Sequence, residues 1–434
     1  MLSLTRYQWT ILFVTWLGWG FDIFDGVLFN LVAPNCLPVL LGLTIGSGVA
    51  KAATLFWTGI LTAILLVGWA TGGIIFGQVA DRIGRTKTLV MTMLLYTLGT
   101  ACCALAPNIW FLLLCRSVAS LGIGGEWAAG AAMVAEVMPE KQRVEAAAIM
   151  CTSGSAGIFL ATFVNYLIAG VLLPTSPEIS WRYVYLSGLV PAAIAIAVRL
   201  FVKEPERWQK IVDVPPKLTE LFNRQNLPLT RSGFLMTLTA LITGASCSVF
   251  IPIISTGLAQ TAAQAKGLTP NATLSLIEQW KTIGINSYNL GGLCGTLLTI
   301  PAAKYLGRKK MFALYFLLAS ASFILTFGLP WPPQIRLYLY FAIGVSVYGV
   351  FGGFAYYLPE LFPTRLRATG AGFCYNAGRV VSAIGPLLVG QVASGGENAF
   401  NRAMMTQFWV GFIPLVGLAF MPWVIETKGR VLVD

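Results

Sequence analysis

The chain has 434 residues, of which 56% are hydrophobic and only 11% charged. Its mean hydropathy is +0.75. Soluble domains are nearer a quarter charged, so this composition excludes an ordinary soluble globule and points to a polytopic membrane protein. The formal net charge of +12 comes from basic residues scattered through short loops, with no basic patch interleaved with aromatics, which argues against a nucleic-acid partner.

Apolar windows of about 20 residues fall at 9–32, 55–79, 88–106, 109–135, 145–172, 182–202, 234–256, 279–303, 311–329, 336–358, 368–392 and 404–425. The first is too long for a signal-peptide core and carries charge. Within it, the run Trp19-Gly20-Phe21-Asp22-Ile23-Phe24-Asp25-Gly26 places two carboxylates three residues apart, on one face of a helix. A charge near the centre of a membrane helix costs roughly 2.5–3.5 kcal/mol, so Asp22 and Asp25 need a purpose. The chain has no histidine; any proton it moves across a membrane must ride on carboxylates. The eight cysteines lie mostly inside apolar windows without metal-ligand spacing and read as small core residues.

Twelve windows imply twelve membrane helices. The N-terminus, the loops after windows 2, 4, 6, 8 and 10, and the C-terminus hold 20 of the 29 Lys and Arg residues, against six in the opposite loops and their edges. By the positive-inside rule both termini are cytoplasmic. The longest polar stretch follows the sixth window. It divides the chain into an N-terminal bundle at 1–202, a cytoplasmic loop at 203–232 and a C-terminal bundle at 233–434.

The two halves repeat. GQVADRIGRTK at 77–87 aligns with IPAAKYLGRKK at 300–310, and EVMPEKQR at 136–143 aligns with ELFPTRLR at 360–367. Duplicated six-helix bundles with a site near the midplane are a transporter architecture. Gly77, Asp81, Arg82, Gly84, Arg85 and Lys87 resemble the loop signature of the major facilitator superfamily. The Glu136 to Arg143 spacing, the run Lys203-Glu204-Pro205-Glu206-Arg207-Trp208 and the tail Glu426-Thr427-Lys428-Gly429 look like its sugar-porter and metabolite–proton symporter branch. The Phe-Asp-x-Phe-Asp-Gly run and the stretch 359–386 are most similar to the aromatic-acid and sialic-acid proton symporters. The resemblance implies an all-α major facilitator fold in the cell membrane. It also implies alternating access, a small-molecule substrate moving with protons, and a monomer with no cofactor. One departure stands out: Lys304 occupies the place of Asp81.

Charges that recur in both halves read as scaffold and switch. Arg85, Glu136 and Arg143, with Arg308, Glu360 and Arg367, sit at cytoplasmic helix ends, where they can pair when the inner side is shut and part when it opens; Asp81, Arg82 and Arg365 flank them. The alternative is plain topology signals. Charges that do not recur are the more informative. Arg116 in the fourth window lies at a depth comparable to that of Asp25. In related symporters an Asp of helix 1 pairs with an Arg at this place, which makes Asp25 or Asp22 its partner and a proton-coupling pair, unless the bridge only specifies packing. Glu126 is either a second proton site or a structural partner. Arg379, with no obvious anionic partner in its own half, suits a substrate carboxylate, or else caps carbonyls or meets a first-half acid such as Glu126. Asn286, Asn289, Tyr356, Tyr375 and Asn376 are candidate cavity residues, although interhelical hydrogen bonding explains any one of them equally well. No catalytic or metal motif is present, so the chain is not expected to be an enzyme. Proton symport of an organic acid anion leads; sugar–proton symport or uniport follows, and a non-transporting sensor is remote.

Overall fold

A computed structural model describes residues 3–45, 47–200, 202–209, 216–383, 399–430 and 432. Among these no strand is found, and the helices group into twelve spans besides a short one at Glu206–Gln209 in the central loop. The twelve are α1 Arg6–Leu40, α2 Gly48–Ile83, α3 Arg85–Ala104, α4 Ile109–Val137 and α5 Arg143–Asn165, which runs on as a wide π turn over Tyr166–Leu172. Next come α6, in two pieces at Pro177–Ser187 and Leu189–Arg199, then α7 Leu227–Ala265 and α8 Pro270–Leu306. α9 Arg308–Gly328, α10 Pro333–Leu361 and α11 Arg367–Ser382 follow, and α12 is split into Ala399–Val410 and Ile413–Ala419. The end of the eleventh window, 384–392, lies outside the described residues.

The helices outrun the apolar windows. α1 continues through Pro34 and Pro38 to Leu40. A helical proline loses one hydrogen bond and crowds the carbonyl of the preceding turn, but Val32, Ala33, Cys36 and Leu37 are buried in one core cluster with Trp181 and Tyr185, which holds that last stretch helical. α7 starts at Leu227, inside the stretch read as loop. The loop itself carries a 3-10 turn at Leu218–Phe222.

The chain forms two compact units. One comprises residues 1–234, 355–383 and 429–434; the other comprises 235–354 and 384–428. The first therefore holds the final turns of α10 and the described part of α11 in addition to α1–α6. Here α4 packs against α2 and α3, α1 against α5, and α11 against α2.

The internal repeat is visible in how each unit crosses its helices. A Cβ on Gly72 would sit 2.0 Å from the Leu121 carbonyl oxygen, and one on Gly295 in the second unit 2.1 Å from that of Val345. Only glycine permits these two backbone approaches, α2 on α4 and α8 on α10. The entries to α3 and α9 repeat as well. Gly84 has φ 114° and Gly307 φ 87°, values that suit glycine alone. Beside them Glu204 accepts from the backbone N–H groups of Arg85, Thr86 and Lys87 at 2.8, 3.1 and 3.1 Å. Glu426 accepts from those of Arg308 and Lys309 at 2.9 and 3.0 Å. Each carboxylate satisfies N–H groups that a helix start leaves unbonded and meets the positive end of its dipole. Burial pushes the Glu426 carboxyl up, but the N–H donors of Arg308, Lys428 and Lys309 outweigh it and hold it below its ordinary value.

Candidate functional site

Three carboxyl groups and two guanidinium groups lie together inside the first unit, contributed by α1, α4 and α6. Asp25 on α1 accepts a 2.6 Å hydrogen bond from the Thr100 hydroxyl and stands 3.8 Å from Arg116 on α4. Of the two partners open to Arg116, the geometry selects Asp25. Glu126, lower on α4, pairs with Arg199 at the end of α6 and accepts from Thr92 at 3.2 Å. Asp22, three residues before Asp25 on α1, lies within electrostatic reach of Glu126, Arg199 and Asp25 and beside Tyr96. It is fully buried, and neither of its oxygens meets hydrogen-bond geometry with any partner among the described residues.

Glu126 does not meet Arg379, because Arg199 occupies it. Arg199 was legible in the sequence by elimination: once 26 basic residues are placed in loops and at their edges, Arg116, Arg199 and Arg379 are what remains. Its position at the end of the sixth window disguised it as another boundary charge.

Arg379, one turn from the end of α11, is buried at 8% exposure and has no acidic partner among the described residues. Its guanidinium carbon lies 4.1 Å from the Trp69 ring centroid and 4.9 Å from that of Tyr375. Tyr375 in turn stacks on Trp127 with centroids 3.8 Å apart. Aromatic faces attract a desolvated cation without neutralising it. The Nε of Arg379 makes no hydrogen bond among the described residues. The guanidinium thus remains able to receive an anion.

The other candidate cavity residues are placed unevenly. Asn376 is buried, bonding the Gly372 carbonyl at 2.9 Å, with its own amide oxygen unmatched. Tyr356 is fully buried in the first unit. Asn289, in the second unit, is buried with neither amide atom bonded, whereas Asn286 three residues earlier is exposed.

At the cytoplasmic ends the recurring charges interlock within the first unit. The Arg85 guanidinium donates to both Glu136 oxygens, at 2.7 and 3.2 Å, and its Nη1 lies 2.8 Å from Asp81. Arg367 donates to the same Glu136 at 3.1 Å, and Arg143 lies 4.0 Å from Glu360. Asp81 accepts from the backbone N–H groups of Ala368 and Thr369 at 3.2 and 2.7 Å, capping α11 from α2. Arg82 donates to the Pro216 carbonyl at 3.2 Å. Arg365 pairs with Glu220 of the central loop, a contact that no local pattern marks, and its hydrogen bonds hold Glu220 below its ordinary value. In the second unit Arg308 repeats the Arg85 contact to the preceding turn, donating to Ala303 at 3.4 Å as Arg85 does to Ala80 at 2.8 Å. Lys304, at the Asp81 position, is exposed.

Buried ion pairs among apolar, membrane-length helices are the mark of a membrane transporter, in which such charges face the bundle interior. A profile of the Major Facilitator Superfamily matches residues 9–386, and the chain belongs to that superfamily. It is accordingly a multi-pass protein of the cell membrane. It is 29% identical to the probable 4-methylmuconolactone transporter of Cupriavidus pinatubonensis, covering 95% of this chain and 89% of that one. It is also 29% identical to the cis,cis-muconate transport protein of Acinetobacter baylyi, over 82% and 84% of the two chains. Among solved structures, the proton:xylose symporter XylE bound to 6-bromo-6-deoxy-D-glucose superposes with a TM-score of 0.76 over 98% of both chains. At 17% identity that likeness concerns the fold alone.

Proposed function

We propose that the protein is a proton-coupled symporter of small organic acid anions, working by alternating access between its halves, 1–202 and 233–434, joined by the loop 203–232. The observation that carries the substrate class is Arg379: a buried guanidinium, bracketed by Trp69 and Tyr375, with no acidic partner among the described residues. A carboxylate would neutralise it through charge-assisted, bidentate hydrogen bonds. The names of the muconate and methylmuconolactone relatives favour the same class. The aromatic walls suit a flat, conjugated acid. Asp22 and Asp25, in a chain without histidine, are the groups on which a cotransported proton would ride. The Arg85, Glu136, Arg143, Glu360 and Arg367 network would close the cytoplasmic side and release it in the other half of the cycle.

The test is binding to purified Arg379→Ala and Arg379→Lys, with benzoate and benzamide, cis,cis-muconate and its diamide as matched probes. Each charge-assisted hydrogen bond is worth about 1.5–3 kcal/mol, so the alanine variant should lose at least about tenfold in acid affinity and little for an amide. The lysine variant keeps the charge without the planar fork and should recover only part. Equal losses for acid and amide, or none, would make Arg379 structural and move a neutral sugar ahead as substrate.

A further inference from the structure

Asp22, Asp25 and Glu126 are three carboxyl groups set against two guanidiniums, Arg116 and Arg199, in one buried cluster. Two of the acids have a guanidinium beside them: Asp25 stands 3.8 Å from Arg116 without a hydrogen bond to it and accepts from Thr100, and Glu126 pairs with Arg199 and accepts from Thr92. Asp22 is left over. It is fully buried and forms no ion pair among the described residues, and the Tyr96 hydroxyl beside it falls outside hydrogen-bond geometry. An ionised carboxylate so placed would carry the whole cost of an unpaired buried charge; the neutral acid avoids it. The surface of α1 is shaped for this arrangement. A Cβ on Gly18, one turn before Asp22, would fall 2.2 Å from both the Arg199 Nη2 and the Glu126 Oε1, so the glycine is what lets the second ion pair lie directly against the helix that bears Asp22.

We propose that Asp22, not Asp25, holds the exchangeable proton of the cluster, and that Arg199 is a positioning residue that fixes this by neutralising Glu126. The proposal refines the proton-coupled reading above and rests on it. Asp25 acts as the counter-ion of Arg116. Asp22 faces like charge on both sides, from Asp25 on its own helix and Glu126 on α4, with Arg199 of α6 and Tyr96 of α3 completing its surroundings. Substrate arrival or helix movement that draws Arg199 off Glu126 would change the charge count by one and move one proton with it. Nothing is oxidised or reduced; a single O–H bond is made or broken.

The test is infrared difference spectroscopy on the full-length protein in proteoliposomes at neutral pH without substrate, reading the carboxylic-acid C=O band, which only a protonated acid contributes. Against wild type, Asp22→Asn should remove one acid, and Asp25→Asn should not. Glu126→Gln frees Arg199, which acts directly on Asp22, to pair with it and should also remove the band, whereas Asp25→Asn frees only Arg116, the counter-ion of Asp25. Arg199→Gln should double it, and Arg199→Gln combined with Glu126→Gln should return it to one. A merely structural role for Arg199 cannot produce that sequence of loss, doubling and restoration. Asp22→Asn has the shape of the neutral acid, and Asp22→Glu, which should keep the band at a shifted frequency, is a second reading of the same site. Loss of the band in Asp25→Asn with retention in Asp22→Asn, or indifference to Arg199 and Glu126, would overturn the proposal. Proton uptake accompanying benzoate or cis,cis-muconate, followed with an internal pH dye, is scored separately. Its absence in wild type would sink symport and leave the location of the stored proton standing.

Discussion

Replacing Glu136 with glutamine removes the acid that two buried arginines share. Arg85 donates to both of its oxygens, at 2.7 and 3.2 Å, and Arg367 of α11 to one, at 3.1 Å; both arginines are completely buried. Glutamine keeps Oε1 as acceptor, loses the second charge-assisted bond and presents an amide group to a guanidinium. One charge-assisted bond is worth about 1.5–3 kcal/mol, and a buried pair that loses one partner costs about 3–5 kcal/mol. A net loss of about 3 kcal/mol is therefore reasonable, or about a hundredfold in the equilibrium that parts α11 from α2 and α4. The same parting frees the Ala368 and Thr369 N–H groups, which at the start of α11 have the Asp81 carboxylate as acceptor. Hydrogen exchange of a peptide covering 364–372 should accelerate by about that factor in Glu136→Gln. The population should move toward the inward-open state. Unchanged exchange in a variant that still folds and transports would show that the interlocked charges hold topology and do not gate.

Two other expectations concern the cytoplasmic face. Glu220, drawn below its ordinary value by Arg365, contributes to loop docking above the unfolded carboxylate value of about 4.3, and loses that contribution as pH falls through the depressed folded value. Both side chains are partly exposed, so the effect is at most about 1 kcal/mol. Glu220→Gln should raise exchange of 216–226 a few-fold at pH 7 and abolish its extra acid sensitivity; a wild-type pH profile in the variant would contradict this. Glu204→Gln and Glu426→Gln each weaken an equivalent carboxylate cap and should each cost about 1 kcal/mol. Their thermal midpoints should fall by similar amounts and the losses should add, so a marked inequality would mean that the two caps are not functional repeats.

Length and hydropathy were enough to give the helical spans of the superfamily fold, because the bilayer imposes one length on every segment; the distribution of lysine and arginine sets the expected orientation. The offset near 223 between the halves separated recurring charges from solitary ones. It thereby pointed to Asp22, Asp25, Arg116, Glu126 and Arg379 before any contact was known. What the sequence could not give was pairing. A carboxylate and a guanidinium attract wherever packing sets them, so Arg116 against Asp25 rather than Asp22, and Glu126 against Arg199 rather than Arg379, were decided by how α1, α4 and α6 cross. Helix ends were hidden for a related reason: apolar windows mark what a bilayer covers, while α1 through Pro38 and α7 from Leu227 are held by packing and caps beyond it. The caps of Glu204 and Glu426 and the bond between Glu220 and Arg365 join residues some 120 to 145 positions apart in sequence. No local pattern records such a meeting; the chain must fold before the acid finds its donors.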